Sequence, residues 1–316
     1  MLLPSGFRVG HWTDLDGGTG CTVVLPPEGT VAAADIRGGG PGTRESELLS
    51  PAANAPGVQA VCFAGGSAFG LAAADGVVQW LDERGIGYDT PAARVPLVAA
   101  AIVYDLWRGR PDSRPGPDAG RAACDAASTE VERGSVGAGT GAAVGKILGP
   151  DGWTKGGVGL AADGVAGANV AALAVVNAIG EVVAEDCSVL AGAWRDGGYV
   201  RTVDALKEGV TLPSGDREAT TLVCLMTDAR LDKRATWLVA RAASAGVGRA
   251  VQPSATAHDG DLVYALASGE VDAHPFAISA LAADVTAAAI RDAVRQAEGT
   301  PGCPSAADRA AGSTRA

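Results

Sequence analysis

The chain has 316 residues, a formal net charge of -11, 47% hydrophobic residues and only 4% aromatic residues. The negative charge argues against nucleic acid and anionic membranes as partners, because both attract a basic surface. The length allows one large domain or two smaller ones, and since no linker separates two halves we expect a single domain over residues 1–316.

The first residues, MLLPSGFRVGHW, contain neither the basic region nor the apolar region of a secretion signal, and no uninterrupted apolar run of about 18 residues occurs. We therefore expect a soluble, cytoplasmic protein. The six cysteines lack the Cys-x-x-Cys spacing of zinc sites, so we expect no metal site, no disulfide framework and no cofactor.

The first clear elements in chain order are a buried strand over 58–63 and a helix over 67–84, joined by two glycines. Further strands are predicted at 173–176, 181–183, 221–226 and 262–267, and further helices at 232–245 and 278–297. Such a mixture favours a layered α/β sandwich. The last segment, 299–316, is rich in Pro, Gly, Ser and Ala, and we expect it to be a disordered tail.

Three glycine-rich stretches resemble known motifs but fail them. The stretch GTGAAVGK has the wrong glycine spacing for a phosphate loop, and Ile147 follows where a magnesium-binding Ser or Thr is needed. The dinucleotide fingerprint fails at Val144. A serine hydrolase built on Ser67 would need glycine where Phe69 stands. We interpret all three stretches as tight backbone around a core or pocket.

Thr220 stands where a polar stretch, 209–219, gives way to the apolar run 221–226. A Thr-Thr pair at a strand start is ordinarily just β-branched packing. If the peptide bond before Thr220 breaks, however, the freed α-amino group lies one side chain from the Thr220 hydroxyl and can serve as its general base. The junction therefore makes this chain a candidate proenzyme.

Other polar residues interrupt the apolar pattern. Asp259 and Asp261 flank a glycine before the strand at 262–267, a pattern that is ordinarily a solvated hairpin corner. Asn177 ends an apolar run, where a buried amide needs hydrogen-bond partners. Lys155 lies in a glycine-rich turn, where a surface lysine is the ordinary interpretation.

Ordered motifs from about residue 5 to about residue 290 resemble one family, the self-processing aminopeptidases that include D-aminopeptidase/esterase, β-peptidyl aminopeptidases and the nylon-oligomer hydrolase. The motifs that carry this resemblance are Val9-Gly10-His11, Thr19-Gly20-Cys21-Thr22-Val23-Val24-Leu25, Arg37-Gly38-Gly39-Gly40-Pro41-Gly42-Thr43-Arg44-Glu45, Gly65-Gly66-Ser67-Ala68-Phe69-Gly70-Leu71, Val136-Gly137-Ala138-Gly139-Thr140-Gly141, Lys155-Gly156-Gly157-Val158-Gly159, Val176-Asn177-Ala178, Thr227-Asp228-Ala229 and Asp259-Gly260-Asp261.

The resemblance implies a four-layer αββα sandwich like that of N-terminal-nucleophile hydrolases. It implies autocleavage between Ala219 and Thr220 into an α chain, 1–219, and a β chain, 220–316, which together form a homotetramer of α/β pairs. The substrates it implies are small peptides or amide oligomers, with D-, β- and L-residues and aminohexanoate units all left open.

For the site, the resemblance implies that Thr220 is the nucleophile. Asp259 and Asp261 then belong to its hydrogen-bond network, Lys155 lies near it and favours a neutral amine, and Asn177 donates to the oxyanion.

Ala219 departs from the family pattern, because asparagine or glycine commonly precedes the nucleophile. Alanine supplies no side-chain amide and lacks the backbone freedom of glycine. This departure supports an alternative, in which the chain is an unprocessed, catalytically inactive homologue that acts as a binding or ring-forming protein.

Overall fold

Two five-stranded sheets form the centre of the protein in a computed structural model that describes residues 3–212 and 219–313. Their strands, in chain order, are β1 (Arg8–Asp14), β2 (Thr19–Leu25), β3 (Val31–Ile36), β4 (Thr43–Arg44), β5 (Ala60–Ala64), β6 (Val98–Ile102), β7 (Gly157–Val165), β8 (Ala168–Asn177), β9 (Thr220–Ala229) and β10 (Leu262–Val271).

The first sheet has the order β1-β2-β5-β6-β4, and the second has the order β7-β8-β9-β10-β3. The pairs β5/β6 and β9/β10 are parallel, whereas the other neighbours are antiparallel. Shorter strands lie at Tyr88–Asp89, Arg94–Val95, Ala143–Val144, Thr154–Lys155, Glu181–Val183, Val189–Ala191, Ala193–Arg195, Gly198–Val200 and Val251–Gln252.

Six α-helices occur among the described residues. They are α1 (Ala73–Asp82), α2 (Pro117–Asp125), α3 (Thr202–Lys207), α4 (Lys233–Ala250), α5 (Pro275–Gln296) and α6 (Ala306–Ser313). In the part of the chain that the structure covers, no helix combines the length and apolarity that crossing a bilayer requires.

Alternate residues of the central strands enter two different cores. In β9, Leu222 and Cys224 pack between the two sheets, whereas Val223 and Leu225 pack towards α4 and α5. A strand buried on both faces has no polar alternation, which explains the continuous apolar run in the sequence. Between the sheets the rings of Phe63 and Tyr264 stack with centroids 6.0 Å apart.

Helices cover the outer face of each sheet. The helices α1 and α2 pack on the first sheet, and α4 and α5 pack on the second. The order of layers is therefore helices, sheet, sheet, helices, and the predicted αββα sandwich is confirmed. The six cysteines are all free, and all but Cys187 are buried.

The predicted elements are present with shifted bounds. The strand predicted at 58–63 is β5, and the helix predicted at 67–84 begins with a 3-10 segment, Ser67–Ala72, before α1. The α4 helix continues five residues beyond the predicted end, from residue 245 to residue 250. Of the polar stretch 209–219, residues 213–218 lie outside the described residues.

The prediction of a disordered tail over 299–316 is wrong for residues 299–313, and residues 314–316 lie outside the described residues. Cys303 and Ser305 are buried, and α6 follows them. Ser305 caps this helix, since its hydroxyl accepts a hydrogen bond from the Asp308 amide at 3.1 Å while its own amide donates to the Asp308 carboxylate at 2.8 Å. The composition of the segment does not predict this order, because the order comes from tertiary contacts and from one local polar pair. Neither produces a hydrophobic pattern in the sequence.

We predict that Gly76→Ala destabilises the protein, although alanine is normally the better helix former by about 1 kcal/mol. A Cβ atom at Gly76 would lie 1.7 Å from the carbonyl oxygen of Pro117, so α1 and α2 would have to separate. We expect the free energy of unfolding to fall by about 1–3 kcal/mol in urea denaturation. The control is Gly312→Ala in α6. No atom lies within 4 Å of a Cβ atom built at Gly312, so the free energy of unfolding should not fall.

Candidate active site

Thr220 opens β9 directly opposite Asn177, the last residue of β8. Odd residues of β8 and even residues of β9 face the space between the sheets, so both side chains continue the rows of the intersheet core. Thr220 is 5% exposed and Asn177 is 1% exposed. The two polar groups therefore lie together at one end of an otherwise apolar layer.

Two donors converge on the carbonyl oxygen of Ala219. The Thr220 hydroxyl donates to it at 2.6 Å, and the backbone amide of Gly260 donates to it at 2.7 Å. A Cβ atom at Gly260 would lie 2.8 Å from Thr220 Oγ1, so a larger residue would crowd the hydroxyl. The sequence alone assigned no function to Gly260; its place between two aspartates was the only signal.

Asp259 and Asp261 are both buried, contrary to the ordinary interpretation of their turn as a solvated corner. Asp261 accepts from the Thr221 amide at 2.6 Å and from the Ala255 amide at 2.8 Å. Asp259 accepts from the amide and the hydroxyl of Thr256 with one oxygen, Oδ2, whereas its Oδ1 is buried without a partner. The structure thus brings both carboxylates to the start of β9, where Ala219 and Asp259 form an isolated parallel β-bridge.

Burial, followed by the neighbouring carboxylate of Asp259, raises the pKa of Asp261 to about 7. A cavity of about 220 Å³ reaches Asp261 from the side of α4, lined by Arg37, Ser244 and Ser254 among others. Asp261 therefore lies at the wall of this cavity, although it is almost fully buried.

The glycine-rich segment after β3 holds the aspartate turn in place. The amides of Arg37 and Gly38 donate to the carbonyl oxygen of Asp261, and the amide of Gly40 donates to that of Asp259 at 2.9 Å. A Cβ atom at Gly38 would lie 2.1 Å from the Asp259 carbonyl oxygen, so the segment needs glycine to approach this closely. The sequence showed this motif but not its contact with the turn.

The carboxamide of Asn177 is oriented from both sides. Its Oδ1 accepts from the Ala143 amide at 3.0 Å, and its Nδ2 donates to the Tyr104 carbonyl oxygen at 3.0 Å. An amide nitrogen carries two hydrogens, so one Nδ2 hydrogen remains for another acceptor. Asn177 can therefore donate to negative charge that develops near Thr220.

Lys155 is fully buried and donates its three Nζ hydrogens to the carbonyl oxygens of Gly139, Ala142 and Gly156, at 2.7, 3.0 and 2.9 Å. Burial lowers the pKa of Lys155 to about 8. These hydrogen bonds hold the loop that presents the Ala143 amide to Asn177. Lys155 therefore supports the site through the backbone instead of hydrogen-bonding to Thr220.

Asp105 is a further buried charge that the sequence interpretation missed. It follows Tyr104 and accepts from the Thr19 hydroxyl and the Gly66 amide, both at 2.7 Å. Burial raises the pKa of Asp105 to about 6. The available signal was an aspartate directly after the apolar run 97–104, which contains β6. Asp105 fixes the segment whose carbonyl oxygen receives Asn177 Nδ2.

Ser67, on which the weaker serine-hydrolase alternative rests, lies outside this arrangement. Its backbone has a positive φ of 55° and its amide donates to Val103. His11 Nδ1 forms its hydrogen bond with the Thr22 hydroxyl, at 2.9 Å, and not with Ser67. Among residues 3–212 and 219–313, no group of three His, Cys, Asp or Glu side chains could hold a metal ion.

Comparisons with known proteins give the relatives of the whole chain. The profile of peptidase family S58 matches residues 5–306. A Mycobacterium bovis protein named as an uncharacterized aminopeptidase is 39% identical over 96% of this chain and 95% of its own length. The 6-aminohexanoate-oligomer endohydrolase of an Agromyces species is 29% identical over 84% of this chain and 74% of its own length.

A solved structure shares the fold. The L-aminopeptidase D-Ala-esterase/amidase from Ochrobactrum anthropi, described as a prototype for the serine aminopeptidases and a variant of the Ntn hydrolase fold, superimposes with a TM-score of 0.74. The superposition covers 100% of this chain and 95% of the other, at 20% sequence identity. At this identity the likeness is one of fold.

We predict that Asp261 makes stability fall as pH rises. Its pKa is about 7 when folded, against an ordinary value of 3.8, so between these values the folded chain holds more protons than the unfolded chain. This contribution is complete below about pH 4 and is lost as the pH passes through about 7. Urea denaturation at several pH values should show a flatter profile for Asp261→Asn than for the wild type, whereas Asp151→Asn on the surface should leave the wild-type slope.

Proposed function

The chain belongs to peptidase family S58, and we propose that it is a self-processing amide hydrolase whose nucleophile, Thr220, becomes an N-terminus when the bond after Ala219 breaks. The family resemblance predicted from the ordered motifs is confirmed by this match and by the aminopeptidase relatives. The observation that carries the proposal is the pair of hydrogen bonds, from Thr220 Oγ1 and the Gly260 amide, to the Ala219 carbonyl oxygen.

In the proposed processing step, Thr220 Oγ1 attacks the carbonyl carbon of Ala219. The Gly260 amide stabilises the negative charge that then forms on the carbonyl oxygen. The carbon–nitrogen bond breaks, the Thr220 nitrogen receives the proton that leaves the hydroxyl, and an ester replaces the amide. Water hydrolyses this ester, which leaves a carboxylate at Ala219 and a free amine and hydroxyl at Thr220.

In the processed enzyme, the Thr220 amine takes the hydroxyl proton while Oγ1 attacks a substrate amide. The pKa of an α-amino group is ordinarily about 7.7–8.0, so a useful fraction is unprotonated near neutral pH. Departure of Ala219 frees the Gly260 amide, which together with the spare hydrogen of Asn177 can receive the substrate oxyanion. The leaving amine takes a proton, and water releases the acyl group from Oγ1.

The unpartnered oxygen of Asp259 supports the same proposal. A buried carboxylate oxygen without a donor is costly, and cleavage creates an ammonium group next to the residue that bridges Asp259. A carboxylate beside the Thr220 amine would hold it in position and raise its pKa. The two fragments remain joined because β8 pairs with β9 and β3 pairs with β10 across the cleavage point.

We propose small peptides or amide oligomers as substrates. The support is in the names of the relatives, which include an aminopeptidase and a 6-aminohexanoate-oligomer endohydrolase. A homotetramer of α/β pairs, the assembly proposed from the family resemblance, is checked by light scattering on the processed protein.

We predict that purified protein contains fragments 1–219 and 220–316, which elute together under native conditions and separate in intact-mass analysis. Thr220→Ala should abolish both cleavage and amidase activity, because no other hydroxyl shares a residue with the new amine. Thr221→Ala is the matched control, since it keeps the Thr221 amide that donates to Asp261 and removes a hydroxyl that does not share a residue with the new amine, so cleavage should stay largely intact.

A wild-type chain that remains uncleaved after long incubation at neutral pH would contradict the self-processing proposal. It would favour the alternative of an inactive binding or ring-forming protein. Cleavage that persists in Thr220→Ala would instead assign the nucleophile to another residue.

We also predict that Asn177→Ala slows processing and amide hydrolysis by on the order of 10²-fold, the cost of losing one oxyanion donor. The control is Asn169→Ala at the other end of β8, where the side chain donates to Asp228 at 2.8 Å. This control loses a polar contact of similar kind and should keep its rates. Processing is followed by electrophoresis, and amide hydrolysis with a panel of L-alanine p-nitroanilide, β-alanine p-nitroanilide and 6-aminohexanoate trimer; equal rates in the two variants would remove Asn177 from the site.

A further inference from the structure

The C-terminal segment 298–309, which we call the strap, crosses from one proposed fragment to the other. It belongs to the proposed β chain, yet it makes five side-chain or backbone hydrogen bonds with residues of the proposed α chain. These contacts are two hydrogen bonds between Ser135 and Glu298, one from Arg108 to the Gly302 carbonyl, one from the Lys155 amide to the Pro304 carbonyl and one from Arg309 to the Trp153 carbonyl.

A tight turn directs the strap into the protein. The amides and carbonyls of Thr300 and Cys303 pair with each other at 3.0 and 2.8 Å around Pro301 and Gly302. Gly302 has a φ of 74°, which is the conformation that the third residue of a type II turn requires. The turn places Cys303, which is 0% exposed, against Ala143 and Trp153.

From this anchor a continuous set of contacts leads to the nucleophile. The Lys155 amide donates to Pro304 at 2.9 Å, and Lys155 pairs with Ala143 in a short antiparallel ladder. The Ala143 amide donates to Asn177 Oδ1 at 3.0 Å, and Asn177 pairs with Thr220. Each step is a backbone pairing or a hydrogen bond, so movement of the strap displaces the group that orients Asn177.

We propose that the strap is a positioning element of the active site, in which Cys303 and Pro304 hold the Lys155–Ala143 ladder so that Asn177 presents Nδ2, and not Oδ1, to the oxyanion. The proposal rests on the proposed function for its catalytic consequence. The physical reason is the near symmetry of a carboxamide. Without the Ala143 donor on one side, rotation by half a turn would aim a carbonyl oxygen at developing negative charge.

The test uses the full-length protein and the backbone of Gly302. No atom lies within 4 Å of a Cβ built there, so a substitution strains only φ. Gly302→Val opposes the positive φ strongly, whereas Gly302→Asn tolerates it and is the conservative rescue. The control is Gly167→Val, in the turn between β7 and β8. Gly167 has a φ of 81° and no atom within 4 Å of a Cβ built there, and it lies at the start of β8, whereas Asn177 is at the end of β8.

Hydrogen exchange of the Lys155 and Ala143 amides is the first measurement and requires no activity. We expect exchange about tenfold faster in Gly302→Val, with Gly302→Asn close to the wild type and Gly167→Val unchanged at these two amides. Unchanged exchange in Gly302→Val would overturn the contact between the strap and the ladder. If the wild type fails to process, the proposed function falls, and this exchange result still decides whether the strap holds the ladder.

The rate of precursor processing is the second measurement, since the substrate is part of the chain and no KM enters. Deletion of 299–316 should slow processing at least tenfold, whereas deletion of 310–316, which keeps the turn and the Arg309 contact, should leave it near the wild-type rate. Circular dichroism confirms that each variant is folded, and if the long deletion does not fold the comparison rests on Gly302→Val and Gly302→Asn. Wild-type processing in a folded long deletion, or in Gly302→Val despite faster exchange, would overturn the positioning role.

Discussion

The antiparallel pairing of β8 with β9 is the constraint on which the rest of the site depends. It sets Asn177 opposite Thr220 and turns both side chains into the space between the sheets. A slip of one residue would carry the whole set of side chains to the opposite face, because the period of a strand is two. The buried apolar rows Leu222, Cys224 and Met226 on one face and Val223 and Leu225 on the other make that slip costly. The register that fills the core thus also sets the direction of the Thr220 side chain, the proposed nucleophile.

The candidate site lies at the end of the apolar layer between the sheets, so its buried polar groups depend mainly on hydrogen-bond partners within the protein. These partners are mainly backbone groups. Lys155 uses three carbonyl oxygens, Asp261 uses two amides, and Asp105 uses an amide and a hydroxyl. Such contacts require close approach of main chains, which is why glycines surround the site and why Gly38 and Gly260 leave no room for a Cβ atom. Asp259 Oδ1 has no donor in this arrangement, and the proposed ammonium at Thr220 would supply one.

The same contacts explain why the proposed cleavage need not separate the fragments. The second sheet contains strands of both proposed fragments, since β7, β8 and β3 lie before the cleavage point and β9 and β10, which lie after it, are placed between β8 and β3. The core on both faces of this sheet is shared, so separation would expose it. The strap adds a hydrogen bond from the Lys155 amide to the Pro304 carbonyl oxygen, which would tie the proposed β chain to the ladder beside Asn177.

The sequence by itself determined the layered α/β class, the main strands and helices, and Thr220 as the residue at which a polar stretch meets a buried strand, because these follow from local periodicity and composition. Family motifs added Asp259, Asp261, Lys155 and Asn177 as candidates. Only the tertiary structure decided that the aspartate turn is buried, that Lys155 hydrogen-bonds to backbone carbonyls, that Gly260 and Asp105 lie at the candidate site and that residues 299–313 are ordered. These features depend mainly on contacts between segments that are far apart in the chain. A hydrogen bond to a distant carbonyl oxygen produces no recognisable pattern in the sequence around either residue.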